Sequence, residues 1–199
     1  MELQEERRLK AQRKGMSRKT LWRVFIVLLV FFAGWSLLML GRPYGVAGLK
    51  DLSGGVGPVD MTFYYTPDHV YQVMEQMGQA GRQAYGRFVL LDLVYIPIYA
   101  AFLGVGLNLF MRELGLVGRR IYAWRMLPVY AGIADGGEEA SLVAILGNYP
   151  ERLDGVVEFM NLFTMTKMCL FSLAVVLLVA LFVSRLRQRA EEKGMAGGG

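Results

Sequence analysis

"AGIADGGEEASLVA", residues 131–144, sets three carboxylates, Asp135, Glu138 and Glu139, within five positions of an otherwise apolar run. Asp135 followed three residues later by Glu138, with Gly136 and Gly137 between, has the form of a capping box in a surface loop joining two short helices. The same residues also form the middle of "MLPVYAGIADGGEEASLVAIL", 126–146, a segment long enough to cross a bilayer. The choice between loop and span sets the number of crossings. The placement of charge along the rest of the chain decides it.

The chain has 199 residues, of which 54% are hydrophobic, so it is either an unusually apolar soluble domain or a polytopic membrane protein. "VFIVLLVFFAGWSLLML", 24–40, has no charged residue, and "FVLLDLVYIPIYAAFLGVGLNLFM", 88–111, has only Asp92. "FMNLFTMTKMCLFSLAVVLLVALFVS", 159–184, is interrupted only by Lys167. Each approaches or exceeds the roughly 20 residues needed to cross about 30 Å of hydrocarbon.

A net charge of +5 raises the question of nucleic acid, but the basic residues sit beside the spans. Residues 1–23 carry eight Lys or Arg, residues 112–125 carry Arg112, Arg119, Arg120 and Arg125, and the tail carries Arg185, Arg187, Arg189 and Lys193. The other two connections hold Arg42, Lys50, Arg82 and Arg87, and Arg152. With four crossings, 16 of the 21 basic residues outside the spans fall on one side. That is the positive-inside pattern, with both termini cytoplasmic in the cell membrane, and it leaves no basic surplus for nucleic acid. With three crossings the basic tail would lie outside, against the rule. The expected fold is therefore all-α: a four-transmembrane-helix bundle with spans at about 22–41, 88–111, 126–146 and 159–184, in a single integral membrane domain.

Around these spans, residues 1–20 read as a charged cytoplasmic arm and 190–199 as a disordered tail. The first span follows a basic segment, but its 17 uncharged residues exceed a signal-peptide core, which favours an uncleaved anchor. The extracytoplasmic loop 42–87 begins Gly- and Pro-rich. It then contains an amphipathic helix over 67–86, with Thr66 as N-cap, Pro67 at the first position and Val70, Val73, Met74, Met77, Ala84, Tyr85 and Phe88 at helical spacing. Gly78 and Gly81 weaken that helix and mark where it would break.

Ionised carboxylates at a span's centre cost about 2.5–3.5 kcal/mol each, so the third span has to cross with partners. Counting 1.5 Å per residue puts Glu138 and Lys167 at a common depth, about 12 Å from the outer ends of their helices, and puts Asp135 level with Tyr99. Asp92, Tyr95 and Tyr99 share one face of the second span, and Asn161, Thr164 and Lys167 descend the fourth in steps of three. Asp92, Tyr95, Tyr99, Asp135, Glu138, Glu139, Asn161, Thr164 and Lys167 thus form one expected ligand or proton cluster. Three acids of one helix face a single lysine. The surplus negative charge has to be met by a proton, by water or by a ligand.

"LLDLVYIPIYAAF", 90–102, with an acid, Leu-Val, an aromatic and a proline, resembles the second helix of the emopamil-binding and sigma-2 receptor family, marked by the EXPERA domain. That family contains sterol isomerases and binders of small amphiphiles. The resemblance implies that Asp92 lines a ligand cavity; the first span here has no counterpart of the family's other acid. The cluster accordingly points to binding of a membrane lipid or small amphiphilic ligand. A lipid-modifying isomerase using a carboxyl as acid or base, a proton-coupled carrier subunit, and a purely structural or accessory subunit are the alternatives. There is no P-loop, nucleophile elbow, HExxH or CxxC, so no cofactor and no metal are expected, and enzymatic activity stays open. Gly104 and Gly106 offer a small-residue face for helix contact, within the bundle or in a homo-oligomer.

Overall fold

A computed structural model describes residues 16–196. Among them every regular element is helical, and three helices are long and apolar enough to cross a membrane. The order is α1 (Arg18–Leu40), α2 (Val46–Leu52), a 3-10 turn (Val59–Met61), α3 (Pro67–Gln76), α4 (Gly78–Glu113), a second 3-10 turn (Arg120–Met126), α5 (Leu127–Asn148) and α6 (Asp154–Ala196). The three long apolar helices are α1, α4 and α6.

Local signals account for most boundaries. Ser17 caps α1 by accepting a hydrogen bond from the Thr20 amide at 3.2 Å, and Thr66 caps α3 through the His69 amide at 3.3 Å. The helix expected over 67–86 is corrected: it is divided at Gly78, whose φ of +61° is left-handed and accessible at low cost only to glycine. Its second half continues without interruption into the following apolar segment, giving a 36-residue α4 that runs through Pro97. The seven apolar positions expected on that helix are nonetheless all buried, because the two pieces turn the same side inward.

The disordered tail expected over 190–199 is corrected as well, since α6 continues to Ala196. "RLRQRAEEK" consists mainly of strong helix formers, and Glu192 reaches back to Arg185 at 3.4 Å. Residues 197–199, and residues 1–15 of the charged arm, lie outside the described part. From Arg18 onward the expected arm is helix.

Helix α5 packs against α4 and α6, and α1 rests on α4. Apolar side chains fill two separate cores. One lies at the end covered by residues 46–76, the capped end, and joins Leu49, Val59, Tyr85 and Phe88 to Leu142, Ile145 and Met160. The other, toward the open end, joins Leu103, Leu107 and Phe110 to Ala131, Ala174 and Leu178. Between them lies a polar layer. Outward-facing residues such as Val30, Phe31, Leu90, Ile133, Val143, Phe159 and Val176 are apolar and exposed.

Glycines permit two of the close approaches. At Gly137 an added Cβ would lie 2.9 Å from the Phe163 ring, and at Gly106 it would lie 2.8 Å from Phe25 and 2.9 Å from Leu178. Gly106 is therefore used inside the chain, whereas Gly104 has no neighbour nearer than the Arg125 carbonyl at 3.8 Å.

Two glycines of α4 give opposite expectations. A Cβ at Gly81 would meet Met77 Cβ at 2.8 Å and Ser53 Cα at 3.2 Å, while one at Gly86 meets nothing within 4 Å. Gly81→Val is expected to destabilise by about 1–3 kcal/mol. Gly86→Ala is expected to stabilise by up to about 1 kcal/mol. Thermal unfolding in detergent, followed by circular dichroism, checks both signs.

Candidate functional site

The polar layer is built by helical spacing on three helices and completed by the covering segment. On α5, Asp135, Glu138 and Glu139 stand at i, i+3 and i+4, so all three point to one side, and all are buried. Lys167 extends from α6 to meet them. Its ammonium donates to Asp135 Oδ1 at 2.7 Å and pairs with Glu138. The other oxygen of Asp135 accepts from the Tyr99 hydroxyl on α4 at 2.8 Å.

The other oxygen of Glu138 accepts from Thr164. Thr164 has one proton to give, so when that proton is spent on Glu138 the Tyr65 hydroxyl, 2.6 Å away, is the donor to Thr164. Burial pushes the Tyr65 hydroxyl up from its ordinary value, which keeps its proton in place. The resulting chain of bonds, Tyr65 to Thr164 to Glu138 to Lys167 to Asp135 and back to Tyr99, ties the covering segment to α4, α5 and α6.

The remaining acids form a second group. Asp60, Asp92 and Glu139 bring one carboxylate oxygen each to within 4.8 Å of one another, and all three residues are buried. Asp60 comes from the 3-10 turn and accepts from the Tyr85 hydroxyl, which in turn accepts from the Val59 amide at 2.9 Å. Among the described residues neither oxygen of Glu139 has a hydrogen-bond donor, and Glu139 also lies within 4.8 Å of the Asp135 and Glu138 carboxylates.

Beside both groups lies a cavity of about 380 Å³. Ser36, Met39 and Leu40 of α1 form one side; Lys167, Met168 and Phe171 of α6 form the other. Phe88, Asp92, Tyr95 and Tyr99 of α4 lie between them, with Asp135 of α5, and Val46, Asp60 and Met61 close the capped end. The cavity exists because α1 leans on α4 and leaves a gap toward α6 at this level. Tyr95 of α4 holds α1 at this level with a hydrogen bond to Ser36 at 2.9 Å.

Of the nine residues expected in the site, Asp92, Tyr95, Tyr99, Asp135 and Lys167 line the cavity, and Glu138, Glu139 and Thr164 lie among the buried bonded and carboxylate groups. Asn161 is buried too, but its amide nitrogen has no partner and joins neither group. Asp60, Tyr65, Tyr85 and Ser36 were not expected. The signal for the first two was "VDMTFYY", 59–65, whose aromatic and apolar content a solvated loop does not require.

At the open end, Glu113 of α4 accepts from Arg18 at 2.7 Å, Trp22 at 2.8 Å and Arg185 at 2.8 Å, clamping α1 and α6 to α4. No family model, curated protein or solved structure matches the chain.

Replacing Lys167 by Met leaves Asp135 and Glu138 buried without their cation, an expected loss of about 3–5 kcal/mol. Adding Asp135→Asn and Glu138→Gln to Lys167→Met should restore much of that loss. The melting temperatures of parent, single and triple variants check this, and a triple variant no better than the single one would refute the pairing account.

Proposed function

We propose that the chain is a four-span protein of the cell membrane with both termini cytoplasmic, and that its cavity receives a membrane lipid or small amphiphile. The fourth crossing is α5. Its 22 residues measure about 33 Å, the thickness of the hydrocarbon. Its outward residues Val129, Tyr130, Ile133 and Val143 are exposed, while its three acids are at most 5% exposed. The cost of central charge at Asp135 and Glu138 is thereby met inside the bundle, by Lys167, Tyr99 and Thr164. The basic residues of 112–125 and of the tail then put the open end in the cytoplasm, and the capped end, with α3, forms the first extracytoplasmic loop.

The observation that carries the ligand reading is the cavity itself, of a size that suits a small molecule, with apolar walls and an acidic base. Lys167 is committed to two carboxylates, so the base favours a ligand whose head is cationic or donates hydrogen bonds. Asp92 takes the place that the emopamil-binding resemblance gives to the acid of the second helix. The gap between α1 and α6 supplies an entry from the bilayer.

Two measurements test this reading. A reporter fused after Ser184 should be cytoplasmic, and an extracytoplasmic signal would remove the fourth span. Native mass spectrometry from nanodiscs, with a chelator present, should show a bound lipid or amphiphile that the cavity-filling Met168→Trp displaces. Bare protein in both samples would rule out the ligand reading.

A further inference from the structure

The acids of the polar layer outnumber its cations by far. Asp60, Asp92, Asp135, Glu138 and Glu139 are all buried, and among the described residues Lys167 is the one ammonium paired with any of them. That ammonium is shared by Asp135 and Glu138. No salt bridge reaches Asp60, Asp92 or Glu139 among the described residues.

We propose that Asp60, Asp92 and Glu139 bind a hard divalent cation, of the Ca²⁺, Mg²⁺ or Mn²⁺ class. Four features support this. Metal–oxygen distances of about 2.0–2.6 Å place the ligand oxygens of one ion no more than about 5 Å apart, and the three carboxylates meet that condition, lying within 4.8 Å of one another; Asp135, Glu138 and Glu139 meet it too, but there the Lys167 ammonium already pairs with two of the three. The donors are all oxygen, with no imidazole or thiolate beside them, which selects hard cations over zinc or copper.

The third feature is Glu139 itself. It is 1% exposed, both of its oxygens lack a donor, and one of them reaches the meeting point of Asp60 and Asp92. The carboxyl of Asp92 lies within hydrogen-bond reach of it, so two buried acids meet with no positive charge between them, and a cation supplies what no side chain there supplies. Fourth, Asp60 and Asp92 also line the cavity, so an ion has a path in and keeps coordination positions for water. Asp60 arrives on the covering segment and Asp92 and Glu139 on α4 and α5, so the ion would fasten that segment to the bundle. None of this depends on the cavity holding an amphiphile.

The test uses the full chain in detergent, stripped with a chelator and then titrated separately with Ca²⁺, Mg²⁺ and Mn²⁺ by calorimetry, with Mn²⁺ also followed by electron paramagnetic resonance. At least one of the metals should bind at a single saturable site and raise the melting temperature. Loss of a supporting residue beyond the ligands already costs metal sites about 10–100-fold in affinity, so Glu139→Gln and Asp60→Asn should each weaken binding by about tenfold or more. Asp51→Asn, at an exposed acid paired with Arg42, should leave binding unchanged. Asp60→Asn carries the test if Glu139→Gln does not fold.

Absence of saturable binding in the folded parent for all three metals would overturn the proposal, as would equal affinity in the variants. So would an infrared band of a protonated carboxyl that Glu139→Gln removes and saturating metal does not, because the triad would then hold a proton in place of an ion. The metal titration contains no amphiphile, and the amphiphile measurement contains a chelator. Either reading can therefore fail without the other.

Discussion

The ammonium of Lys167 between Asp135 and Glu138 is the constraint on which the bundle turns. A helix with three acids at its middle cannot be placed in an apolar setting unless another element brings the opposite charge to the same level. Here α6 does so, with 2.7 Å between Lys167 and Asp135. The pair sets the register of α5 against α6, and Tyr99 extends it to α4. A slide of one helix by a turn would move a charged group into one of the two apolar cores that lie above and below.

The layer is also where apolar packing gives way. Above it the covering segment closes over Phe88, Leu142 and Met160; below it the aromatic side chains of α1 and α4 stack, as Phe25 and Phe32 do on Phe102. At the layer itself α1 and α6 stand apart and a cavity remains. On the proposed ligand reading, the apolar walls take the hydrocarbon and the polar floor selects the head. The Glu113 cluster at the open end needs no such reading, because its carboxylate is matched by several arginines and an indole.

Charge on the two sides of the Lys167 pair is handled differently. Asp135 and Glu138 share the ammonium of Lys167 and accept from Tyr99 and Thr164. Asp60, Asp92 and Glu139 meet no cation among the described residues, and they differ in origin: one acid comes from each of three elements, so no single stretch of sequence contains the group. The covering segment thus contributes to the chemistry of the layer as well as shielding it.

The long apolar helices, the capping of α1 and α3, the break at Gly78 and the inward face of α5 follow from the sequence, because each rests on residues within a few turns of one another. Helical counting alone brings Lys167 level with Glu138, since depth along a helix is linear in residue number. Partner choice around a helix axis is not linear in anything local. Only the tertiary structure separated the nine expected residues into a paired group and an unpaired one, left Asn161 outside both, and carried Asp60 and Tyr65 from an apparent loop into the polar layer. Their positions depend on how α2, α3 and the 3-10 turn fold back over the bundle, a matter of contacts distant in sequence that no periodicity encodes.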